Sequence, residues 1–384
     1  MDELTSPGAR TMLVDCDVHQ ELHDNVADLY PYLSEGWKAF VKSPAANPLA
    51  ATVEADQTLD VAAPGRPYTA NPFGALQKDA TPPNGRTAGS DPSFMATSFL
   101  DRYDVTAAIL TGGQIAFGAS ALSNPYFARE VARAFNDLTL DVWPASDDRY
   151  YVSAVVAAQV PAWAADEIHR LAEHPKVVQV LLMANPHGAA FGHPVYADIH
   201  RACAETGLPL AIHAFGDGIG GAVPSPMASG YPSLYAEYHS SAVQGLMTHL
   251  TSFVLHGVFD RYPDFKLVLI EGGVSWLPSY LRRFEADYKG LRREAPWCKR
   301  LPGEYAIDNV RYTTQPFDIE DPSDPMLLAL EAIGAQEAIL YSSDYPHWDI
   351  DVPDRIRRAL PSNWRDKVLY GNAAALYGLA SGAS

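Results

Sequence analysis

Asp17 and His19 stand two residues apart at the end of an apolar run, LVDCDVHQ at residues 13–20. On an extended strand, residues two apart share a face, so Asp15, Asp17 and His19 are expected on one side and Val14, Cys16 and Val18 on the other. Three groups of the same chemical kind end apolar runs elsewhere: His213 in PLAIHAF, Glu271 in KLVLIEG and Asp344 in AILYSSDYP. Two imidazoles with two or more carboxylates form a mixed nitrogen and oxygen donor set of the kind that holds zinc, manganese or iron. Its chemistry is the activation of water or of a substrate oxygen. A lone histidine at a strand end is ordinarily a hydrogen-bonded core residue. The constellation argues otherwise, because buried carboxylates without a cation or partner cost several kcal/mol each.

Metal ligation is therefore assigned to Asp17, His19, His213 and Asp344, and catalytic roles to Asp344, Glu271 and His239. His239, in YAEYHS beyond the fifth strand, is expected to overhang the site, and His347, three residues past Asp344, is placed by the same loop argument. One divalent ion is expected, zinc first, with manganese or iron as alternatives. A second ion would need Glu271 together with His239, His187 or His347. His256, in SFVLHGVFD, has a weaker claim, and His169, His174, His200 and His249 fall in helical patterns and read as surface or packing residues.

These groups need a scaffold that gathers strand ends. Eight strand-like segments are read at 13–20, 107–113, 151–159, 177–184, 209–215, 266–272, 310–316 and 338–346. Helical patterns lie between most of them, at 126–143, 161–174, 194–206, 233–262, 275–293 and 321–333. In 275–293, Leu277, Leu281, Phe284, Tyr288 and Leu291 recur at helical spacing along one face. Such alternation predicts an α/β fold, a (β/α)₈ TIM barrel, with a doubly wound open sheet as the alternative topology. Closure of the barrel would set Asp344 beside Asp17 and His19, with His213 across the mouth. Alternation along the sixth strand would turn Leu267, Leu269 and Glu271 inward; along the eighth it would turn Leu340, Ser342 and Asp344 inward.

Neither a repeat nor an internal boundary divides the sequence, so 1–384 reads as one barrel domain. Within it, 44–95 is a long Pro- and Gly-rich insertion after the first strand, a lid or an arm toward another subunit. GDGIGG at 216–221 resembles a phosphate loop, but AVPSPMASGYP follows it and starts no helix. A mobile loop at the site is the better reading.

The 384 residues carry a net charge of -18, which disfavours nucleic acid and anionic membranes as partners and leaves a small molecule. The acidic start MDELTSPGAR lacks an apolar signal region and no apolar run is long enough to span a bilayer, so a cytoplasmic protein is expected. Its 3 cysteines, Cys16, Cys203 and Cys298, are widely separated and suggest no disulfide framework.

From VDCDVH to SSDYPHWD, with GVFDRYPDFKLVLIEGG and YGNAAALYGL between and after them, the chain resembles the amidohydrolase superfamily. The likeness is to the branch of aminocarboxymuconate-semialdehyde decarboxylase and gamma-resorcylate decarboxylase. The resemblance implies that Asp17 and His19 fill the opening ligand motif, His213 the fifth-strand ligand, and Asp344 the eighth-strand ligand that also handles protons. One position departs: decarboxylases of this branch end the sixth strand in histidine-glycine-glycine, and here Glu271-Gly272-Gly273 stands there. The fourth strand, QVLLMAN, also lacks the lysine or glutamate that bridges two metals in many superfamily hydrolases.

The expected function is metal-dependent hydrolysis or non-oxidative decarboxylation of a small, carboxylated molecule. Two other classes compete: a dinuclear iron or manganese oxygenase, and a non-catalytic barrel subunit that binds metal. A homodimer, or a hetero-oligomer with a related barrel, is the expected assembly.

Overall fold

The structure, a computed structural model, describes residues 12–23, 26–42, 76–184, 188–214 and 234–379. Its centre is one sheet of eight strands in sequence order: β1 (Val14–Val18), β2 (Ala107–Leu110), β3 (Tyr150–Val155), β4 (Val177–Met183), β5 (Leu210–His213), β6 (Leu267–Ile270), β7 (Val310–Thr313) and β8 (Ile339–Leu340). All neighbouring pairs are parallel. The ring closes between the last strand and the first: Cys16 N donates to Tyr341 O at 3.0 Å, His19 N to Tyr345 O at 2.8 Å and Asp344 N to Asp17 O at 3.1 Å. This is the (β/α)₈ barrel, and the open-sheet alternative falls with that closure.

Helices run between the strands, among them Pro125–Ser146, Pro161–Leu171, Ala197–Thr206 and Leu277–Leu291. The expected helix at 233–262 is three pieces, Tyr235–Ser241, Val243–Leu255 and Val258–Arg261. Gly257, with φ 66°, makes the left-handed turn between the last two. None of the described helices is long and apolar enough to cross a membrane.

Strand register shows which residues fill the barrel. His213 is paired with Met183 and Ile270, and Ala211 with Leu181 and Val268, so these share the inner face. They form one cluster with Val14, Cys16, Ile109 and Leu340, reached from the C-terminal helix by Tyr377, whose hydroxyl donates to Gln179 Oε1 at 2.8 Å. Leu267 and Leu269 belong to the other cluster, with helix residues Leu246, Phe253, Leu277 and Leu281. This corrects the expected parity of β6: Val268 and Ile270 point inward. Glu271 still reaches the centre because its backbone turns left-handed, φ 60°, immediately after the strand.

A second correction concerns β1. Val14 pairs with Ala107 and Asp15 with Ala108, but then the register shifts and Val18 meets Leu110. Residues 16 and 17 together oppose Ile109, a bulge that turns Asp17 inward beside Cys16. Asp15 stays on the outer face, where its Oδ1 accepts from Ser343 N at 2.9 Å. The polar residues of LVDCDVHQ therefore do not line one face. β8 is likewise shorter than expected: after Leu340 the chain runs as loop, and Asp344 adopts φ 65°.

Of the insertion, 44–75 lies outside the described residues, as do His187 and the GDGIGG segment. The part from 76 onward lies against the loop after β8. Leu76 bridges His347, Gln77 N donates to Pro346 O at 2.9 Å, and Gln77 Nε2 donates to His347 O at 2.8 Å.

Candidate metal centre

Four strand ends and their loops deliver five titratable side chains to one point at the C-terminal rim. Asp17, His19, His213 and Asp344 are at most 1% exposed and Glu271 is 7% exposed. Asp17 Oδ1 lies 3.4 Å from His19 Nε2 and 3.6 Å from His213 Nε2. His213 Nε2 lies 3.3 Å from Glu271 Oε2, and His19 Nε2 lies 2.9 Å from Asp344 Oδ1.

Backbone carbonyls fix both imidazoles. His19 Nδ1 lies 2.6 Å from Gly112 O, and His213 Nδ1 lies 2.7 Å from Ala214 O. A carbonyl only accepts, so each Nδ1 carries the hydrogen and each Nε2 is turned to the common centre. Thr111 Oγ1 donates to Asp17 Oδ1 at 2.5 Å, and Glu271 N donates to Thr313 Oγ1 at 2.9 Å. These supports come from the residue after β2 and from the last residue of β7, and the sequence reading missed them. The pair Gly272-Gly273 is dictated by space: a Cβ on the first would meet Leu246 Cδ1 at 2.5 Å, and one on the second, at φ 58°, would meet Pro316 O at 2.5 Å.

Donor atoms of Asp17, His19, His213 and Glu271 all lie within 4.8 Å of one another. Asp17 Oδ2 and Asp344 Oδ2 are buried without a hydrogen-bond partner among the described residues. Buried carboxylate oxygens left bare beside two inward-turned imidazole nitrogens fit a divalent cation. His19, Asp344 and His347 form another grouping, but only by using His19 again.

The electrostatics separate the two mobile-proton candidates. Burial raises Glu271 well above the usual carboxylate range, and the charges of Asp344, Asp17 and Asp349 add to it. Burial also works to raise Asp344, but His347, with Nδ1 2.6 Å from Asp344 Oδ1, and His19 outweigh it and hold that carboxyl below its ordinary value. His19 is depressed by burial, yet Asp17 and Asp344 more than offset this and raise it to about 9.

His239 stands apart from the ligand cluster. Its Nε2 lies 3.2 Å from Asp349 Oδ2, and its ring lies 5.6 Å from those of Trp348 and Tyr235. Of the remaining histidines, His200 and His249 are buried packing residues, and His169 pairs with Glu205 on the surface. His256 lies against His193, with ring centroids 5.1 Å apart.

A mixed nitrogen and oxygen cluster at the C-terminal rim of an eight-stranded barrel defines a barrel metalloenzyme. The sequence matches the amidohydrolase family over residues 14–379, and the chain belongs to that family. Among solved structures it is similar to 5-carboxyvanillate decarboxylase from Sphingomonas paucimobilis, with 20% identity, a TM-score of 0.67, and coverage of 96% of this chain and 100% of that one. It is also similar to 5-carboxyvanillate decarboxylase from Novosphingobium aromaticivorans, complexed with manganese and 4-hydroxy-3-methoxy-5-nitrobenzoic acid, at 18% identity, TM-score 0.63 and 97% coverage of each chain. A third is a dihydroxybenzoic acid decarboxylase from a Polaromonas species with bound manganese and the inhibitor 2-nitroresorcinol, at 18% identity, TM-score 0.62, and 96% and 97% coverage. At these identities the likeness establishes the shared fold.

Proposed function

We propose that this chain is a carboxy-lyase that removes carbon dioxide, without oxidation, from a small hydroxylated aromatic acid, using one divalent cation. The observation that carries the reading is the opposed pair of buried carboxyls, Glu271 and Asp344, flanking one cluster of inward-turned imidazoles. Two such groups with proton affinities pushed apart are an acid and a base.

Asp17, His19, His213 and Asp344 would hold the ion; Glu271 has its donor atom in the same close group as the first three, and Asp344 joins that group through His19. Bound there, a divalent cation polarises substrate oxygen atoms as a Lewis acid. The mixed nitrogen and oxygen donor set accommodates manganese, as in the two neighbours that carry it, and zinc is the competing occupant. A single ion is favoured because the second grouping shares His19 with the first and is left with two donors, Asp344 and His347, without it. That weighs against the dinuclear oxygenase.

The proton chemistry follows from environment. Asp344, kept ionised by His347 and His19, accepts a hydrogen bond from a ring hydroxyl. As the bond to the carboxyl carbon breaks, its electron pair stays on the ring carbon, the neutral Glu271 carboxyl donates its proton there, and carbon dioxide leaves. A glutamate at the end of β6 can thus do the work of the imidazole found in related decarboxylases, because burial among carboxylates keeps it protonated.

The test is to load the purified protein with manganese and follow carbon dioxide release from a panel of hydroxybenzoates, beside amide and lactone substrates. Stoichiometric carbon dioxide with the matching phenol is expected. Hydrolysis of an amide or lactone, with no carbon dioxide from any acid, would overturn the reading.

A further inference from the structure

Asp15, two residues before Asp17, is fully buried and belongs to neither grouping of ligand atoms. A buried carboxylate that holds no cation needs hydrogen-bond donors, and Asp15 finds two in the main chain. Its Oδ1 accepts from Asp17 N at 3.2 Å and from Ser343 N at 2.9 Å. The first bond stays within β1; the second crosses the seam to the loop after β8. Asp344 N, the next amide, donates back to Asp17 O at 3.1 Å, so one side-chain oxygen closes a ring of hydrogen bonds through the main chain of both acids assigned to the ion. Ser343 is held from its other sides as well: its Oγ accepts from Tyr345 N at 3.0 Å and its carbonyl from Asp351 N at 3.0 Å.

We infer that Asp15 is a positioning residue for the metal centre: by binding the Asp17 and Ser343 amides with one oxygen, it makes the bulge that turns Asp17 inward and sets Asp344 against it. The inference rests on the ion proposed for this site, and not on which reaction the ion serves. An aspartate that takes the amide two residues on replaces the straight pleat by a local turn. Here that bond falls within the stretch where the register slips, between Asp15 and Val18. Without it Cys16 and Asp17 would alternate, and Asp17 would follow Asp15 to the outer face. Across the seam, Asp344 holds φ 65°, a conformation that an aspartate keeps only when its surroundings fix it. The Ser343 amide is the fixed point that precedes it. Asp15 acts through the backbone of residues 17 and 343 rather than on the ion.

The experiment measures manganese affinity, by competition with a chelator, and the melting temperature of the metal-free protein, for wild type, Asp15→Leu and Asp15→Asn. Leucine fills the space and offers no acceptor; asparagine keeps an oxygen in the same place without the charge. Asp15→Leu is expected to bind manganese about 10–100-fold more weakly, the usual loss when a ligand's support is removed. Asp15→Asn recovers most of that affinity. Should Asp15→Leu not fold, Asp15→Ser, whose shorter side chain cannot span both amides, takes its place under the same criterion. Nitrogen-edited proton NMR adds a readout that needs no metal. The amide protons of Asp17 and Ser343 both lie downfield in the wild type and both move upfield in Asp15→Asn, because a neutral oxygen accepts less strongly than a carboxylate. Wild-type affinity in the folded fraction of Asp15→Leu or Asp15→Ser would make Asp15 a packing residue. A loss in Asp15→Asn as large as in those variants would make its charge, not its bonds, the cause; either result overturns the inference. Failure of the wild type to take up manganese or zinc sinks the proposed ion instead, and the amide shifts then decide on the tie: shifts unmoved in Asp15→Asn overturn it, and shifts moved at both amides uphold it.

Discussion

Asp344 Oδ1 lies 2.9 Å from His19 Nε2, so the last strand's acid and the first strand's imidazole face each other across the seam where the barrel closes. Their contact is as much a part of closure as the backbone bond from Asp344 N to Asp17 O. The seam of the ring and the ligand set therefore share these residues.

The hydroxyl of Thr111 tests how far that set depends on its supports. From the position after β2 it donates to Asp17 Oδ1, and it also lies 3.3 Å from Val18 O. Partners of this kind orient a ligand and raise its basicity, and their loss typically weakens metal affinity by about 10–100-fold. Thr111→Val is expected to weaken manganese binding by that factor with the fold intact, measured by competition with a chelator. Affinity within twofold of wild type would show that Asp17 needs no orientation.

Proton competition follows from the state of His19. Without a cation its pKa is raised to about 9, so below that pH a proton holds the nitrogen that faces the centre. Binding of a cation must expel it. Apparent affinity should therefore rise with pH up to about 9 and then level, with release of a proton on binding. Calorimetry in two buffers of different ionisation heat reads the proton directly, and equal heats in both would contradict this.

How much of this was legible from the residues depends on whether a contact is local. His213 and Asp344 stand where apolar runs stop, and polarity at a strand end is visible without any structure. The barrel too follows from eight alternations of strand and helix. Strict alternation failed in β1 and β6, because a bulge and a left-handed residue each break the pleat, and neither has a residue type that announces it: Glu271 and Asp344 take positive φ values that are rare outside glycine. Thr111, the Gly112 carbonyl and Asp349 were missed because their partners are fixed only by register between strands or across the rim.

Gly273 carries the cost of the turn after Glu271. With φ 58° and Pro316 O only 2.5 Å from where a Cβ would sit, Gly273→Ala combines backbone strain with a clash against main chain. Strain in this region costs on the order of 1–3 kcal/mol. The variant should melt at lower temperature than wild type and, because Glu271 shifts with the turn, lose activity beyond what its stability explains. A variant with unchanged melting temperature would mean that the loop relaxes freely.

Acid stability turns on two histidines remote from the ion. His249 Nδ1 accepts from Phe191 N at 3.1 Å, and His200 Nε2 lies 2.6 Å from Phe191 O, so the pair clamps one residue of the loop after β4. Burial lowers both to about 4; a backbone hydrogen bond opposes it in each case, and Arg261 and His256 add to it for His200. Folded-state values below the unfolded 6.5 mean that the unfolded chain takes up protons first as pH falls. The stability these groups contribute is complete above pH 6.5 and is lost progressively down to about 4. Each histidine should cost about 2 kcal/mol between pH 7 and pH 5, from a separation of one and a half units between unfolded pKa and solution. Urea unfolding of wild type and His249→Gln at both pH values isolates the effect. The variant, though less stable at pH 7, should lose less on acidification by that amount, and parallel losses in the two proteins would mean that His249 does not titrate on unfolding.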